Sequence, residues 1–187
     1  YTSDQGFYLG EHGWFDKRWM YEESFKMPFL IKNPRTIEAG TTSDAMIMNV
    51  DFAPTLLDMA GLEIPSEMQG KSFKGAFEGD EKNQRKSVYY HYYEYPSVHM
   101  IPRHYGIRTE RYKLIHFYQF GNEWEMYDLK EDPDELTNIY GKSSKETLQK
   151  DLKKQLVAIR KFYDDNTDVS EKSDEWKKKV RPLTATK

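Results

Sequence analysis

The sequence predicts an α/β chain in two parts: the end of a larger sheet domain, then a small four-stranded antiparallel sheet packed on a C-terminal helix. Three observations predict it. A short continuous apolar run, Phe29-Leu30-Ile31, follows Pro28 and leads to a strongly patterned helix over 51–60. Four tyrosine-rich runs divided by turn residues lie between 87 and 129. A single amphipathic stretch, 145–163, comes after them.

Taken in order, Tyr1-Thr2-Ser3 reads as the last residues of a buried strand, and Asp4-Gln5-Gly6 turns the chain out of it. Ligands of open α/β sheets sit outside the carboxyl ends of strands, where this pair falls. A carboxylate beside an amide oxygen suits Ca²⁺ or Mg²⁺ better than Zn²⁺. Further on, Asp16-Lys17-Arg18 is a charge cluster bracketed by Trp14, Phe15 and Trp19, a setting in which a cation can hold an anionic group. Taken singly, each is a common turn or a solvated surface pair. Arg18 is expected to pair with Glu22 or Glu23. A short helix is expected at 21–25, and Pro28 forces the strand Phe29–Ile31. Residues 34–43 form a polar connection, and Met46–Val50 a second extended piece. The helix over 51–60 has Asp51 as its N-cap, Pro54 in its first turn and Gly61 at its end; Phe52, Leu56, Met59 and Ala60 share a face. As a cap, Asp51 is favoured over a ligand. Residues 61–86 are loop-like, with a charged run over 78–86, and Gln69-Gly70-Lys71-Ser72 lacks phosphate-loop spacing.

The second part begins at the composition shift near residue 84. Strands are expected over 87–93, 105–109, 111–118 and 123–129, the middle two joined as a hairpin through Thr109-Glu110-Arg111. In the helix, Leu148, Leu152, Leu156, Ile159 and Tyr163 form a stripe that should cover one face of the sheet. The domains are therefore 1–84, 85–163 and a charged tail over 164–187. His91 and His116 alternate within strands and read as structural. His99, Arg103 and His104 share a loop pinned by Pro96 and Pro102, a rim for a polar substrate, with Tyr93 and Tyr95 as aromatic surfaces beside it.

Composition narrows the function. A formal charge of −3 points to neither nucleic acid nor an acidic membrane surface, and no run of about 18 apolar residues is present. Apolar residues make up 37% and charged ones 32%, and 14 tyrosines supply buried surface with polar edges that need partners. Without cysteine there is no disulfide, thiolate metal site or cysteine nucleophile.

The motifs, taken as one string, resemble the type I, formylglycine-dependent sulfatase family. They are Ser3-Asp4-Gln5-Gly6, Leu9-Gly10-Glu11-His12-Gly13, Lys17, Tyr21-Glu22 and Pro28-Phe29-Leu30. The likeness continues through Asn49-Val50-Asp51, Pro54 to Gly61, Gly106-Ile107-Arg108-Thr109, Tyr112 to Ile115, Tyr127-Asp128-Leu129, Asp132 to Glu135 and Asn138, covering roughly residues 1–140. The resemblance implies an alkaline-phosphatase-like fold, of which this is the C-terminal portion. It also implies a formylglycine nucleophile made from Cys or Ser in a C/S-x-P/A-x-R motif. No serine here lies in that motif, so the nucleophile is expected in an upstream part of the same enzyme. By the same resemblance Asp4 and Gln5 ligate Ca²⁺ (Mg²⁺ the alternative), with Gln5 a departure from the commoner Asn or His. Lys17 donates to a sulfate oxygen. His12 is the other catalytic candidate, with support of the loop as its alternative role. Arg18, His99, Arg103 and His104 are candidate substrate contacts. The run Asp16 to Glu22 looks most like enzymes that remove 6-O-sulfate from N-acetylglucosamine in glycosaminoglycan or mucin-type glycans, which implies a sulfated carbohydrate partner and a periplasmic or secreted setting. Two rivals are a phosphoryl-transfer hydrolase of the alkaline-phosphatase superfamily and a non-catalytic carbohydrate-binding module over 85–187. The first 28 residues are too poor in histidine for the usual zinc pair of the former. The latter leaves residues 1–60 without a purpose.

Overall fold

The computed structural model describes residues 1–77, 79–80, 84–119 and 122–166. Its elements are β1 (Tyr8–Leu9), β2 (Phe15–Asp16), α1 (Glu22–Phe25), α2 (Phe52–Met59), β3 (Ser87–Tyr92), β4 (His104–Thr109), β5 (Tyr112–Phe117), β6 (Glu123–Asp128) and α3 (Glu146–Phe162), with short 3₁₀ turns between. They fall into two compact units. One comprises Tyr1–Asp4 and Met27–Val88; the other comprises Gln5–Lys26 and the described residues from Tyr89 to Asn166. From residue 167 the expected charged tail lies outside the described residues, as do Glu78 and residues 81–83 of the charged run.

In the second unit the sheet runs β3-β4-β5-β6. β4 and β5 pair antiparallel from His104↔Phe117 to Arg108↔Lys113, and β5 and β6 from Tyr112↔Asp128 to Phe117↔Glu123. The expected hairpin forms. Thr109 Oγ1 accepts the Tyr112 N–H at 3.0 Å and donates to the Tyr112 carbonyl at 2.9 Å, tying the reversal to itself. Side chains alternate across a strand, so each strand serves two faces. Ile107, Leu114 and Met126 pack with Leu152 and Leu156 of α3, the cover that the leucine stripe predicts. The opposite parity, Ile115, Phe117 and Tyr127, packs with Tyr8, Met20 and Tyr21, so the segment Gln5–Lys26 covers the second face. Gly106 permits it: a Cβ there would stand 2.5 Å from Met20 Sδ and 2.4 Å from the Leu114 carbonyl oxygen.

The first unit is built differently. Phe73 is its one buried large apolar side chain among the described residues, at the centre of Phe29, Phe52 and Phe77. Of the expected strand Phe29–Ile31 only a single bridge forms, Thr2↔Phe29, flanked by the Leu30 N–H on the Tyr1 carbonyl at 2.8 Å. Tyr1 itself is exposed rather than buried in a strand. α2 appears as expected, with Pro54 in its first turn and Gly61 at φ 71° past its end. Asp51 occupies the N-cap position of α2 as expected, but its side chain makes no capping bond to that helix. A 3₁₀ turn, Asn49–Asp51, precedes α2, so the helical run begins earlier and takes over the last two residues of the expected extended piece, while Met48 keeps extended backbone. The Asp51 carboxylate instead accepts the Met48 N–H at 2.8 Å, the Lys71 N–H at 2.8 Å and the Arg85 guanidinium, buried throughout. Its reach back to Met48 is how an acidic third residue closes a helix start.

Candidate active site

The segment Gln5–Lys26 is a loop stabilised by hydrogen bonds to its own backbone. Gly6 runs so close to α1 that a Cβ would stand 2.0 Å from the Glu23 carbonyl oxygen, and its N–H donates to the Ser24 carbonyl at 2.9 Å. Gln5 Nε2 donates to the Lys17 carbonyl at 2.7 Å and to Ser24 Oγ at 3.0 Å. Ser24 Oγ donates to the same carbonyl at 2.6 Å. Gln5 and Lys17, matched to separate motifs in the sequence, are thus joined through one buried serine.

Around Lys17 lies a charged group. Asp16 accepts from Arg18 and from His99 Nδ1 at 2.8 Å, and Arg18 Nε approaches Glu94 at 4.0 Å. Arg18 therefore pairs with Asp16 and not with Glu22 or Glu23 as expected from sequence, because Glu22 is turned inward. His12, at φ 54°, stacks on Tyr21 with centroids 4.6 Å apart and places Nε2 3.5 Å from Glu23.

Arg103 and His104 are not at a rim. Arg103 is 3% exposed, donating Nε to the Tyr93 carbonyl at 2.8 Å and Nη2 to the Tyr95 carbonyl. His104 is 0% exposed because β4 begins there, one residue earlier than expected, and the added residue takes the inward parity. Its ring sits among Trp19, Tyr90, Tyr92 and Phe117, and its Nδ1 donates to the Pro102 carbonyl at 2.8 Å. Burial pushes its pKa down to about 4.

Beneath the loop is a buried ion network with no counterpart among the expected site residues. Lys113 Nζ, 0% exposed, lies 2.9 Å from Glu22 and 2.7 Å from Glu135; Arg108 reaches Glu22 at 3.2 Å. Glu22 also donates its N–H to Glu135 at 2.7 Å. Burial opposes the charge on Glu22, but the Lys113 ammonium and Arg108 guanidinium outweigh it and hold the carboxyl down at about 2. Burial prevails at Glu135, whose pKa is raised. A readable signal existed: Lys113 shares strand parity with Ile115 and Phe117, a charge on an apolar face.

For a hard cation the donor chemistry fits. An amide oxygen and a carboxylate are both hard donors, and the Gln5 amide is held in one orientation by its nitrogen's bonds to the Lys17 carbonyl and Ser24 Oγ. The Asn49 side chain donates to the Asp4 carbonyl, fixing the backbone there. Two oxygens are fewer than such a cation takes, and among the described residues no group of three or more His, Cys, Asp or Glu gathers to complete the set.

A family model described as N-sulphoglucosamine sulphohydrolase, C-terminal, matches residues 10–162. The chain belongs to this sulfatase family. It is 58% identical, over 89% of its length, to N-acetylglucosamine-6-O-sulfatase of Bacteroides thetaiotaomicron, and 35% identical over 88% to an arylsulfatase of Clostridium perfringens. It spans 30% of the first relative and 34% of the second. A structure solved in complex with D-glucosamine-2-N,6-O-disulfate as its substrate superposes with a TM-score of 0.86 at 56% identity, covering 91% of this chain and 35% of that one. The alkaline-phosphatase-like sulfatase fold expected from the motifs is the fold of these relatives. In sulfatase terms the loop combines an oriented amide, a lysine whose backbone is pinned, and a charged fork at Asp16 and Arg18 that His99 joins from the segment before β4. Together these can hold a tetrahedral anion and the hydroxyls beside it.

Proposed function

We propose that this chain is the C-terminal part of a sulfuric ester hydrolase acting on 6-O-sulfated N-acetylglucosamine-type sugars of glycosaminoglycans or mucin-type glycans, in the periplasm or after secretion. The observation that carries the reading is the hydrogen-bonded joining of Gln5 to the Lys17 backbone, which sets the side chain of a cation-binding motif against the anion-binding one. The identity to an N-acetylglucosamine-6-O-sulfatase supports the sugar.

Asp4 and Gln5 would give two oxygen ligands to Ca²⁺ or Mg²⁺, which when bound neutralises a sulfate and draws electron density from sulfur. Lys17 presents a compact ammonium to a sulfate oxygen and stabilises the charge that grows as the S–O bond lengthens. Asp16 accepts from sugar hydroxyls while Arg18 and His99, both bonded to it, hold its orientation and offer donors. His12, stacked and turned to Glu23, supports the loop. Arg103 and His104 shape the same loop from beneath by bracing the Tyr93, Tyr95 and Pro102 carbonyls. The nucleophile, a formylglycine by family resemblance, would come from outside these 187 residues, which contain no matching motif. Among the described residues no helix is long and apolar enough to cross a membrane.

The test is sulfate release by the full-length protein from N-acetylglucosamine-6-sulfate, compared with 3- and 4-sulfated sugars and with phosphate monoesters. Release from the 6-sulfate, lost with chelator and reduced about 10²-fold or more in Lys17→Ala with metal content unchanged, is expected. Release from phosphate monoesters alone would overturn it.

A further inference from the structure

We propose that Ser24 is a positioning residue that holds Gln5 and Lys17 in one fixed relation; the inference rests on the roles given to those two residues above. Ser24 is 0% exposed, on α1. Its hydroxyl donates to the Lys17 carbonyl at 2.6 Å and accepts from Gln5 Nε2 at 3.0 Å. The same nitrogen donates to the Lys17 carbonyl at 2.7 Å, closing a triangle of three hydrogen bonds. Only a hydroxyl can donate and accept in so small a space. The triangle matters for Gln5 in particular. Its side chain is long, and the entropy of a free glutamine would have to be surrendered on each binding event. Ser24 restrains it in advance, nitrogen inward.

The serine is itself rigidly placed. α1 spans only Glu22–Phe25, too short to hold by itself, and it is tied to the sheet by buried bonds. The Glu22 N–H donates to Glu135, the Glu22 carboxylate meets Lys113 and Arg108, and Tyr21 Oη donates to Glu125 at 2.7 Å. The Ser24 carbonyl accepts the Gly6 N–H, so the serine also grips the backbone just beyond Gln5. Sheet, α1, Ser24 and Gln5 form one connected support.

The experiment uses the full-length enzyme, demetallated, with calcium affinity read by titration calorimetry alongside kcat and KM for N-acetylglucosamine-6-sulfate. Ser24→Ala is expected to weaken calcium binding roughly tenfold, the scale on which a lost buried hydrogen-bond partner acts, and to lower kcat more than it raises KM. In a Gln5→Ala background the same change should move calcium affinity little, because Ser24 acts through Gln5. Ser24→Cys keeps the shape with a weak donor and acceptor, and gives the same result should the alanine variant not fold. Unchanged calcium affinity in both serine variants, or an equal loss with and without Gln5, would overturn the inference. A parent that binds calcium yet cleaves no sulfate ester would overturn the functional reading alone, with the coupling of Ser24 to Gln5 still decided by the calcium data.

Discussion

The two units hold themselves together by different physics. The unit containing the four-stranded sheet covers both faces, one with α3 and one with Gln5–Lys26, and contains nearly all the buried apolar side chains. The unit of Tyr1–Asp4 and Met27–Val88 buries Phe73 and leaves Leu30, Val50, Leu56 and Leu62 more than half exposed. Its cohesion is polar. Asp51 gathers Met48, Lys71 and Arg85; Thr55 Oγ1 accepts the Phe73 N–H at 3.0 Å and donates to the Asp51 carbonyl at 2.6 Å; Asp58 holds Ser72 and Lys74. Hydrogen bonds fix geometry while burial supplies most of the free energy, so well-defined structure and self-sufficient stability are separable. The candidate catalytic loop belongs to the unit that covers both faces of its sheet.

The largest effect should come from the buried charge in the sheet unit. Lys113→Met strips the shared cation from Glu22 and Glu135 and should cost about 3–5 kcal/mol in denaturant unfolding, the scale for an uncompensated buried ion. A cost below about 1 kcal/mol would mean that water reaches the network and that the face is not closed. Next comes a pair of leucines. Leu152→Ala, at 1% exposure, should cost about 2–5 kcal/mol, whereas Leu56→Ala, at 65%, should stay within about 0.5 kcal/mol. Equal costs in the full-length protein would break the comparison, since Leu56 would then be covered there as fully as Leu152.

Local pattern made much of this readable. The boundaries of β3 to β6 fall within a residue of those expected, and the leucine stripe identifies the cover on one sheet face. The other cover was not readable, because it depends on pairing across long separations: Tyr21 with Glu125, Asp16 with His99, Glu22 with Lys113. Parity marks a strand residue as inward but does not name what it meets. For that reason the sequence alone puts His104 at a rim and makes Arg103 a substrate donor, whereas the Arg103 guanidinium is taken up by backbone carbonyls. Asp51 shows the local version of the same limit. Its cap-like position was right, but the 3₁₀ turn ahead of it changed which N–H groups its carboxylate could reach.

The last difference between the units is one of proton chemistry. All five histidines lie in the sheet unit, and burial lowers the pKa of His91, His104 and His116. For His104 the folded value is about 4 against an ordinary 6.5. Between those values the unfolded chain binds more protons than the folded one, so stability rises with pH through that window and is lost as pH falls from 6.5 toward 4. The cause is visible in the surroundings: a ring enclosed by Trp19, Tyr90, Tyr92 and Phe117 has nowhere to solvate a second N–H. Acidification from pH 7 to pH 4.5 should therefore weaken the sheet unit by roughly 2–3 kcal/mol from this residue alone, while the other unit, without histidine, changes little above the carboxylate range. Hydrogen exchange read separately on Ile107–Arg108 and on Thr55–Leu56 at the two pH values makes the comparison within one sample. His104→Asn, which keeps a donor for the Pro102 carbonyl but cannot titrate, should flatten the sheet unit's loss. Loss of protection that is equal in both units, or unchanged in the asparagine variant, would show that the acid sensitivity comes from the carboxylates and not from the enclosed imidazole.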